Sequence, residues 1–424
     1  MFLILLIFIQ LTFGQTSCGE TIEACSYKVE NGVLKITGKG RMKDYQDEGG
    51  PWTQLRFEEH SSVEITGISY IGIQAFWCTG VTSISIGEGL IEIGNSAFDQ
   101  AESLTTITLP ESLKTIGANA FYKVPITTFH ISKNVQTIGA GAFSETSITS
   151  FTCSGENGYY SVTNDGILLN KDGNKIISYP TNKDSTTYEI PLTITALGES
   201  SFKGCKNLET IIINNEITEI PASGFRECRS LTSITIGSKV QYIRGYSFNG
   251  CKSLTTITIP EPVTTIEEYA FYGCDLLSTV TIPSTITQID SNAFESCDLL
   301  TTIIYSGTAA PTNCNNIHIP SGIKINVPKE YPEEYFCGIT VEKQGGGETG
   351  GNEDGDETSG NENGNETGGN ENGDETGGNE DEGETGKNQT SSTDSSSNRS
   401  SSSESDGCEK DIILFLSFLI IFLI

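Results

Sequence analysis

The chain has 424 residues, 12 cysteines and a formal net charge of −30 at pH 7. Residues 345–411 alone hold 19 Asp and Glu against 3 Lys and Arg, a net charge of −16. A nucleic-acid partner requires cationic side chains that displace counterions from phosphate, so we expect no nucleic-acid partner. The same balance argues against direct contact with an anionic lipid surface.

The N-terminal residues 2–13 are almost wholly apolar and carry no charge. This run is too short for a membrane-spanning helix, which needs about 20 residues. Thr12 and Gly14 place small residues at positions −3 and −1 of a cleavage point after Gly14. The pattern predicts a signal peptide over residues 1–14. The alternative is a buried strand or helix.

The middle of the chain repeats with a period of 23 residues. A phenylalanine, usually preceded by alanine, recurs at Phe76, Phe98, Phe121, Phe143, Phe202, Phe225, Phe248, Phe271 and Phe294. Its steps are 22 or 23 residues, except for one of 59 that contains an insertion. Beside it runs an alternation of Ile and Thr, which is typical of a half-buried strand. One such strand cannot bury its apolar face alone. The sequence therefore predicts a β-rich solenoid over residues 63–343, with a parallel sheet of about nine to ten stacked repeats.

The fuller repeat pattern is L-x-x-I-x-I-P…I-x-x-x-A-F-x-x-C, found at Leu254, Ile257, Ile259, Pro260, Ile266, Ala270, Phe271 and Cys274. It resembles the BspA-like (Treponema pallidum type) leucine-rich repeat, over about residues 63–305. The resemblance implies an N-terminal cap over residues 15–62 and a two-strand excursion in the insertion at about residues 153–190. It also implies a surface protein that binds extracellular-matrix proteins and host cells, and it supplies no catalytic residues.

Five cysteines occupy one position of the repeat, three residues after the phenylalanine: Cys205, Cys228, Cys251, Cys274 and Cys297. Cysteine packs as a small apolar group, so we predict a ladder of buried thiols. A metal site is the alternative, but ligands at this spacing would form an open row and not a tetrahedron. We therefore expect no metal ion and no cofactor.

Four other cysteines lie near the two ends of the repeat array. A disulfide between Cys18 and Cys25 would staple the N-terminal cap. One between Cys314 and Cys337 would do the same at the C-terminal end. Both pairings are hypotheses, because connectivity cannot be deduced from sequence.

Strand alternation also predicts which side chains face outward from the sheet. The result is a nearly uncharged double ladder with the candidate binding residues Thr106, Thr108, Thr128, His130, Thr210, Thr235, Thr256, Thr258, Thr279 and Thr281. Strand propensity alone would explain this ladder, because Thr suits a pleated, water-facing surface. The alternatives are a hydrogen-bonding face for a protein or glycan, or a face that orders water or ice. The ladder lacks the Tyr, Trp and Arg side chains typical of hot spots. The sheet edges, the insertion or Tyr159 and Tyr160 are therefore alternative contact points.

Residues 344–403 are predicted to form a disordered acidic and Ser-rich stalk. Within residues 345–386 a Glu-Thr dipeptide recurs every nine residues, and no aliphatic or aromatic side chain occurs. Such a segment has no apolar surface with which to offset the entropy of ordering. Three N-glycosylation acceptor sites, Asn365, Asn388 and Asn398, lie in this segment.

Residues 404–424 contain an uncharged apolar run over residues 412–424. A small-residue site, a polar spacer and an apolar tail together form the pattern of a GPI-attachment signal. Ser400 and Ser405 are the candidate attachment residues. The alternatives are a short peptide anchor in the membrane and free secretion.

The sequence contains no G-x-S-x-G elbow, no G-x-x-x-x-G-K-[ST] loop and no H-E-x-x-H motif, so we expect no enzyme. The leading hypothesis is a protein on the extracellular face of the plasma membrane. Its solenoid would bind or adhere to an extracellular-matrix or host-cell protein or glycan. The alternative is a structural or shielding coat glycoprotein without a specific ligand. Specific, saturable binding would separate the two.

Overall fold

The computed structural model describes residues 16–46, 49–53, 62–314 and 317–344. Within these residues the regular secondary structure consists of strands alone, joined by turns. The strands fall into an N-terminal group, an insertion and a C-terminal group.

Twelve strands form the N-terminal group. They are β1 (Thr16–Ser17), β2 (Ser26–Glu30), β3 (Val33–Thr37), β4 (Ser62–Thr66), β5 (Tyr70–Ile71), β6 (Ser83–Ile86), β7 (Glu92–Ile93), β8 (Thr106–Thr108), β9 (Thr115–Ile116), β10 (Thr128–Ile131), β11 (Thr137–Ile138) and β12 (Ser150–Cys153). Strands β1, β2 and β3 pair antiparallel. Strand β3 then pairs in parallel with β4, so this N-terminal meander supplies the first rung of the parallel sheet.

The insertion contains three strands, where the family resemblance implied two. They are β13 (Tyr160–Val162), β14 (Leu168–Asn170) and β15 (Lys175–Ser178). Each pairs antiparallel with the next. Asp165-Gly166 and Asp172-Gly173 stand in the two connecting turns, and both glycines have a positive φ, of 86° and 70°. Glycine adopts this left-handed conformation at little cost, which explains where the chain reverses.

The C-terminal group returns to parallel stacking. It consists of β16 (Thr187–Glu189), β17 (Ala196–Leu197), β18 (Thr210–Ile212), β19 (Glu219–Ile220), β20 (Ser233–Thr235), β21 (Tyr242–Ile243), β22 (Thr256–Thr258), β23 (Thr265–Ile266), β24 (Thr279–Ile282), β25 (Gln288–Ile289), β26 (Thr302–Tyr305), β27 (Lys324–Val327), β28 (Tyr335–Phe336) and β29 (Ile339–Lys343). Strand β15 of the insertion pairs in parallel with β17 and so rejoins the solenoid.

Most turns of the solenoid contribute one longer strand and one two-residue strand. Outside the insertion the longer strands pair with one another in four groups, with breaks between β8 and β10, β12 and β16, and β20 and β22, and the short strands pair in two groups, β5 to β11 and β19 to β25. In the sheet of longer strands, Thr256 lies opposite Thr279 and Thr279 opposite Thr302. In the sheet of short strands, Thr265 lies opposite Gln288. Equivalent residues of successive repeats are therefore in register. Within each group of paired strands a repeat position becomes a column, and this confirms the predicted parallel solenoid.

A column of aromatic side chains fills the core. Neighbouring rings stack 5.0–5.8 Å apart, as in the pairs Phe98–Phe121 and Phe248–Phe271. Trp52 stacks on Phe76 at the N-terminal end, and Tyr179 stacks on Phe202 after the insertion. The solenoid therefore has about eleven turns, where the phenylalanine pattern predicted about nine to ten repeats. Trp52 and Tyr179 serve as the core aromatics of the two turns that lack the phenylalanine.

The five repeat cysteines are free and buried, as predicted from their spacing. The Cys228 thiol lies 3.1 Å from the Phe202 carbonyl oxygen, and the Cys251 thiol lies 3.2 Å from that of Phe225. Cys274 and Cys297 repeat the contact. Burial raises the pKa of the Cys251 thiol well above its usual value, so the thiol stays protonated and donates to a buried carbonyl.

The glycines that follow the short strands of the N-terminal group have ordinary φ values, but their surroundings are tight. A Cβ atom on Gly117 would lie 2.6 Å from the Asn95 backbone nitrogen. Close approach to the preceding turn therefore requires glycine here. Arg244 and Glu267 occupy the same column in the C-terminal group, where they form an ion pair of 2.8 Å.

Candidate binding surface

The predicted ladder residues lie on the outer face of the longer strands. Exposed members are Thr106, Thr108, Thr128, His130, Thr235, Thr256 and Thr258, and half-buried members are Thr210, Thr279 and Thr281. The residues between them point into the core, as Phe129 and Ile257 do. Within each group of paired strands, parallel in-register pairing aligns these side chains in two columns, since Thr106 lies opposite Ser83 and Thr258 opposite Thr281.

The structure adds one rung that the sequence pattern did not reveal. Strand β16 places Thr187 opposite Thr210, and it places Glu189 opposite Ile212. Glu189 is exposed, so a carboxylate interrupts the uncharged column between β12 and β18. At the N-terminal end the column begins with charged side chains, because Lys35 lies opposite Glu64. The uncharged ladder is thus divided into two stretches, β6 to β12 and β18 to β26.

The remaining candidate residues are the four cysteines of the two predicted disulfides and the residues of the predicted terminal segments. Cys18 and Cys25 are joined by a disulfide with Cα atoms 5.0 Å apart, and Cys314 and Cys337 by one with Cα atoms 4.9 Å apart. Outside the described residues lie the predicted signal peptide, stalk and attachment signal, with Asn365, Asn388, Asn398, Ser400 and Ser405.

An open groove of about 530 Å³ lies where the insertion meets the ladder. One wall is strand β12, with Ser150, Thr152 and Cys153. The opposite wall is the β13–β14 turn, residues 163–166, together with Lys183. The Phe151 N–H donates to the Gly166 carbonyl oxygen at 3.0 Å, so the turn lies directly against the strand. We call this feature the insertion groove.

Polar contacts hold the wall of the insertion groove in place. The Thr163 hydroxyl donates to the Asp165 Oδ1 atom at 2.6 Å, and it accepts from the Ile167 N–H at 2.9 Å. Lys183 Nζ donates to the Asp165 carbonyl oxygen at 2.6 Å and lies 3.8 Å from Asp165 Oδ2. The Asp165 side chain remains about half exposed, at 53%. The groove therefore presents a positioned carboxylate beside an ammonium group.

Cys153 lines the insertion groove as a free, half-buried thiol. Its Sγ lies 3.5 Å from the Ser154 carbonyl oxygen and 3.6 Å from that of Tyr160. Burial raises the pKa of this thiol, and the Lys171 ammonium group opposes part of that shift. It is thus a weak nucleophile at neutral pH.

Aromatic residues that could anchor a partner lie away from the ladder. Tyr159 is 51% exposed, whereas Tyr160 is buried. The Tyr246 and Tyr269 rings stack 5.0 Å apart beside the aromatic column, and the Arg226 guanidinium group lies 5.6 Å from the Tyr246 ring centre. Both tyrosines occupy the repeat position two residues before the phenylalanine, and both have positive φ values.

Two further features concern the described residues only. No group of three His, Cys, Asp or Glu side chains lies close enough together to hold a metal ion. No helix of a length and apolarity that would allow it to cross a membrane occurs in residues 16–46, 49–53, 62–314 or 317–344.

In-register 23-residue turns, parallel sheets and a column of stacked core aromatics on each side of the insertion define a leucine-rich-repeat solenoid. The sequence model described as "BspA type Leucine rich repeat region" matches residues 61–164 and 179–301 in six copies, just over half of the chain. The protein belongs to the BspA type leucine-rich-repeat family, which confirms the resemblance inferred from the repeat residues. A comparison with curated proteins gives no match.

Solved structures with a similar fold include three bacterial proteins. The pneumococcal vaccine antigen PcpA is 21% identical, with a TM-score of 0.57 over 74% of this chain and 95% of its own. A leucine rich cell surface protein from Faecalibacterium prausnitzii is 23% identical, with a TM-score of 0.49 over 70% and 96%. A leucine-rich repeat protein from Eubacterium ventriosum is 25% identical, with a TM-score of 0.47 over 67% and 95%. At these sequence identities, the similarity to solved structures shows the fold alone.

Proposed function

We propose that this protein is a non-catalytic binding protein of the cell surface. Its solenoid would recognise an extracellular-matrix or host-cell protein or glycan. The observation that carries the proposal is the outer face of the longer strands. Uncharged side chains, most of them hydroxyls, stand there in register within the paired strands β6 and β8, β10 and β12, β18 and β20, and β22 to β26. A repeated face of this kind suits an extended partner, because each added strand repeats the same donors and acceptors.

The location at the surface rests on the sequence features at the two ends of the chain. A signal peptide over residues 1–14 would direct secretion, and a GPI-attachment signal over residues 404–424 would join the protein to the membrane at Ser400 or Ser405. The acidic stalk, glycosylated at Asn365, Asn388 and Asn398, would hold the solenoid away from that membrane. Surface labelling of intact cells, before and after phosphatidylinositol-specific phospholipase C, tests this arrangement. Label that persists after the lipase contradicts a GPI anchor, and no surface label contradicts the location itself.

Binding by the ladder can be tested with a matched pair of variants in one repeat. Thr128 is an exposed ladder residue of β10, and Thr137 is an exposed residue of β11 in the other sheet. Thr128→Glu places a charge among the hydroxyl groups of the ladder and should weaken binding to an extracellular-matrix preparation by about tenfold, or about 1.4 kcal/mol. Thr137→Glu should leave the affinity unchanged.

The alternative function, a shielding coat without a ligand, predicts a different result from the same assay. The purified chain would then show no saturable binding to matrix or to host-type cells. If the Thr128→Glu variant and the unmodified protein bind with equal affinity, the protein still has a binding function, but its binding site lies outside the ladder.

A further inference from the structure

The insertion groove is a built feature of the fold. A Cβ atom at position 166 would lie 2.6 Å from the Ser150 Cβ atom, so only glycine lets the β13–β14 turn approach β12 this closely. Gly166 also needs its φ of 86°, which other residues rarely adopt. The turn occupies the side of β12 on which the next longer strand would stand. The ladder thus breaks here and leaves a recess beside Thr152.

The chemistry of the groove walls is suited to a ligand with adjacent hydroxyl groups. The Asp165 carboxylate only accepts hydrogen bonds, the Lys183 ammonium group only donates, and the Asn164 amide does both. A sugar ring with neighbouring hydroxyl groups needs an acceptor and a donor side by side. Asp165 and Lys183 provide that combination, because Lys183 Nζ lies 3.8 Å from Asp165 Oδ2.

Charge and size narrow the ligand class further. The described groove lining contains one carboxylate, Asp165, and one ammonium group, Lys183, and these compensate each other. A strongly anionic ligand would find the cation already paired. The volume of about 530 Å³ lies within the range of about 300–1,000 Å³ for small-molecule sites. Half-buried Val162 adds an apolar contact for the C–H face of a ring.

We propose that the insertion groove binds a neutral hexose unit of a glycan, with Asp165 and Asn164 accepting from sugar hydroxyl groups and Lys183 donating to them. This inference rests on the proposed binding function and names its ligand class. The ladder hydroxyl of Thr152, on the β12 wall of the groove, would extend contact to the next sugar along the strand. Glycan chains would then enter the ladder from the insertion.

Cys153 provides a reporter inside the groove, because its free thiol lines the wall while the repeat cysteines such as Cys251 are buried. The full-length protein is treated with N-ethylmaleimide at mildly alkaline pH, and peptide mass spectrometry follows the modification rate of each cysteine. Glucose, galactose, mannose and N-acetylglucosamine serve as probes. At a sugar concentration about ten times Kd, occupancy should slow modification of Cys153 about tenfold. The rate at Cys251 should not change.

A matched pair of variants separates a sugar site from a nonspecific effect. Asp165→Asn removes the charged acceptor of the groove and should abolish the protection of Cys153. Asp172→Asn is the control, because Asp172-Gly173 stands in the other turn of the same meander and Asp172 does not line the groove. Protection in this control should equal that of the unmodified protein.

The outcomes distinguish this inference from the proposed function. If no sugar slows Cys153 modification in protein that still binds matrix saturably, the hexose site is refuted and the binding function stands. Undiminished protection in Asp165→Asn also refutes it. Sialic acid is added as an anionic control sugar, and protection by sialic acid but by none of the four neutral sugars refutes the neutral-hexose site as well. Protection by a neutral hexose in protein that fails to bind cells or matrix supports the groove and contradicts the proposed adhesive function.

Discussion

Cys228, Cys251, Cys274 and Cys297 show what a single repeat position can determine. Their spacing predicted buried thiols, and the structure confirms the burial. The spacing did not reveal that each thiol lies 3.1–3.3 Å from a phenylalanine carbonyl oxygen of the preceding repeat. Each of these carbonyl oxygens also accepts a backbone N–H from its own turn, as that of Phe202 does from Cys205 at 3.2 Å. The thiol therefore donates to the second lone pair of an oxygen that the folded turn positions, which residue spacing does not reveal.

Asp99 gives a pH-dependent prediction. Burial raises the pKa of this carboxyl to about 6, and its Oδ1 atom has no hydrogen-bond partner. Because the folded-state pKa exceeds the unfolded value, the native protein loses stability as pH rises from about 4 to about 6, and the full cost remains above that range. Asp99→Asn should therefore stabilise the protein by about 1–3 kcal/mol at pH 7.5. The gain should vanish near pH 4.

Urea denaturation of the full chain at the two pH values measures this difference. Glu102→Gln is the control, because Glu102 is exposed only three residues away. It should change the free energy of unfolding by less than about 0.5 kcal/mol at either pH. A stabilisation by Asp99→Asn that is equal at both pH values would show that its origin is not the ionised carboxylate.

At the scale of the structural element, the turn that contains Tyr179 is the most informative. Phe143 and Tyr179 are 36 residues apart, and Tyr179 and Phe202 are 23 apart, so the step of 59 contains an additional rung. A search for phenylalanine could not find this rung. The strand that follows it, β16, adds Thr187 and Glu189 to the ladder.

We predict that Tyr179→Ala destabilises the protein by about 3–5 kcal/mol, because it removes a buried ring that stacks on Phe202 at 5.0 Å. Tyr179→Phe keeps the ring and restores the residue of the other repeats. It should change the free energy of unfolding by less than about 1 kcal/mol. Urea denaturation of both variants provides the measurement. A mild effect of Tyr179→Ala would mean that the Tyr179 ring contributes little to the packing of the C-terminal cluster.

The sequence was sufficient for the elements that repeat. It predicted the parallel solenoid, the phenylalanine column and the outward direction of residues such as Thr256 and His130. It was insufficient for the insertion groove, where Ser150, Gly166 and Lys183 come together through two turns of an antiparallel meander. Their contact depends on turn geometry such as the φ of Gly166. Residue spacing carries no signal for it.

At the scale of the whole solenoid, the buried apolar side chains of the described residues form two clusters. One extends from Cys18 to Leu168 and the other from Ile167 to Cys337, so the boundary falls within the insertion. Stability in a solenoid is approximately a sum of repeats and of their contacts with nearest neighbours. We therefore infer that the insertion is the weakest coupling between two cooperative halves.

Hydrogen exchange tests this coupling. Phe271→Ala removes a ring from the C-terminal cluster and should accelerate amide exchange in β18 to β26 by about tenfold or more. Exchange in β6 to β9 should not change. Phe98→Ala is the matched counterpart: it should accelerate amide exchange in β6 to β9 and leave exchange in β18 to β26 unchanged. Uniform acceleration through both halves in either variant would show that the solenoid unfolds as one unit.

In-register stacking also has a consequence for how such a gene can change. In the pairs β18–β20, β22–β24 and β24–β26, each residue lies opposite the equivalent residue of the next repeat, 23 positions along the chain. Unequal recombination that duplicates or removes one 23-residue segment would therefore rebuild the same kinds of contacts across the new junction. The molecule could lengthen or shorten its outer face in steps of about 4.8 Å, the spacing between strands. Its reach toward a partner can thus vary between related genes while both ends of the array keep their contacts.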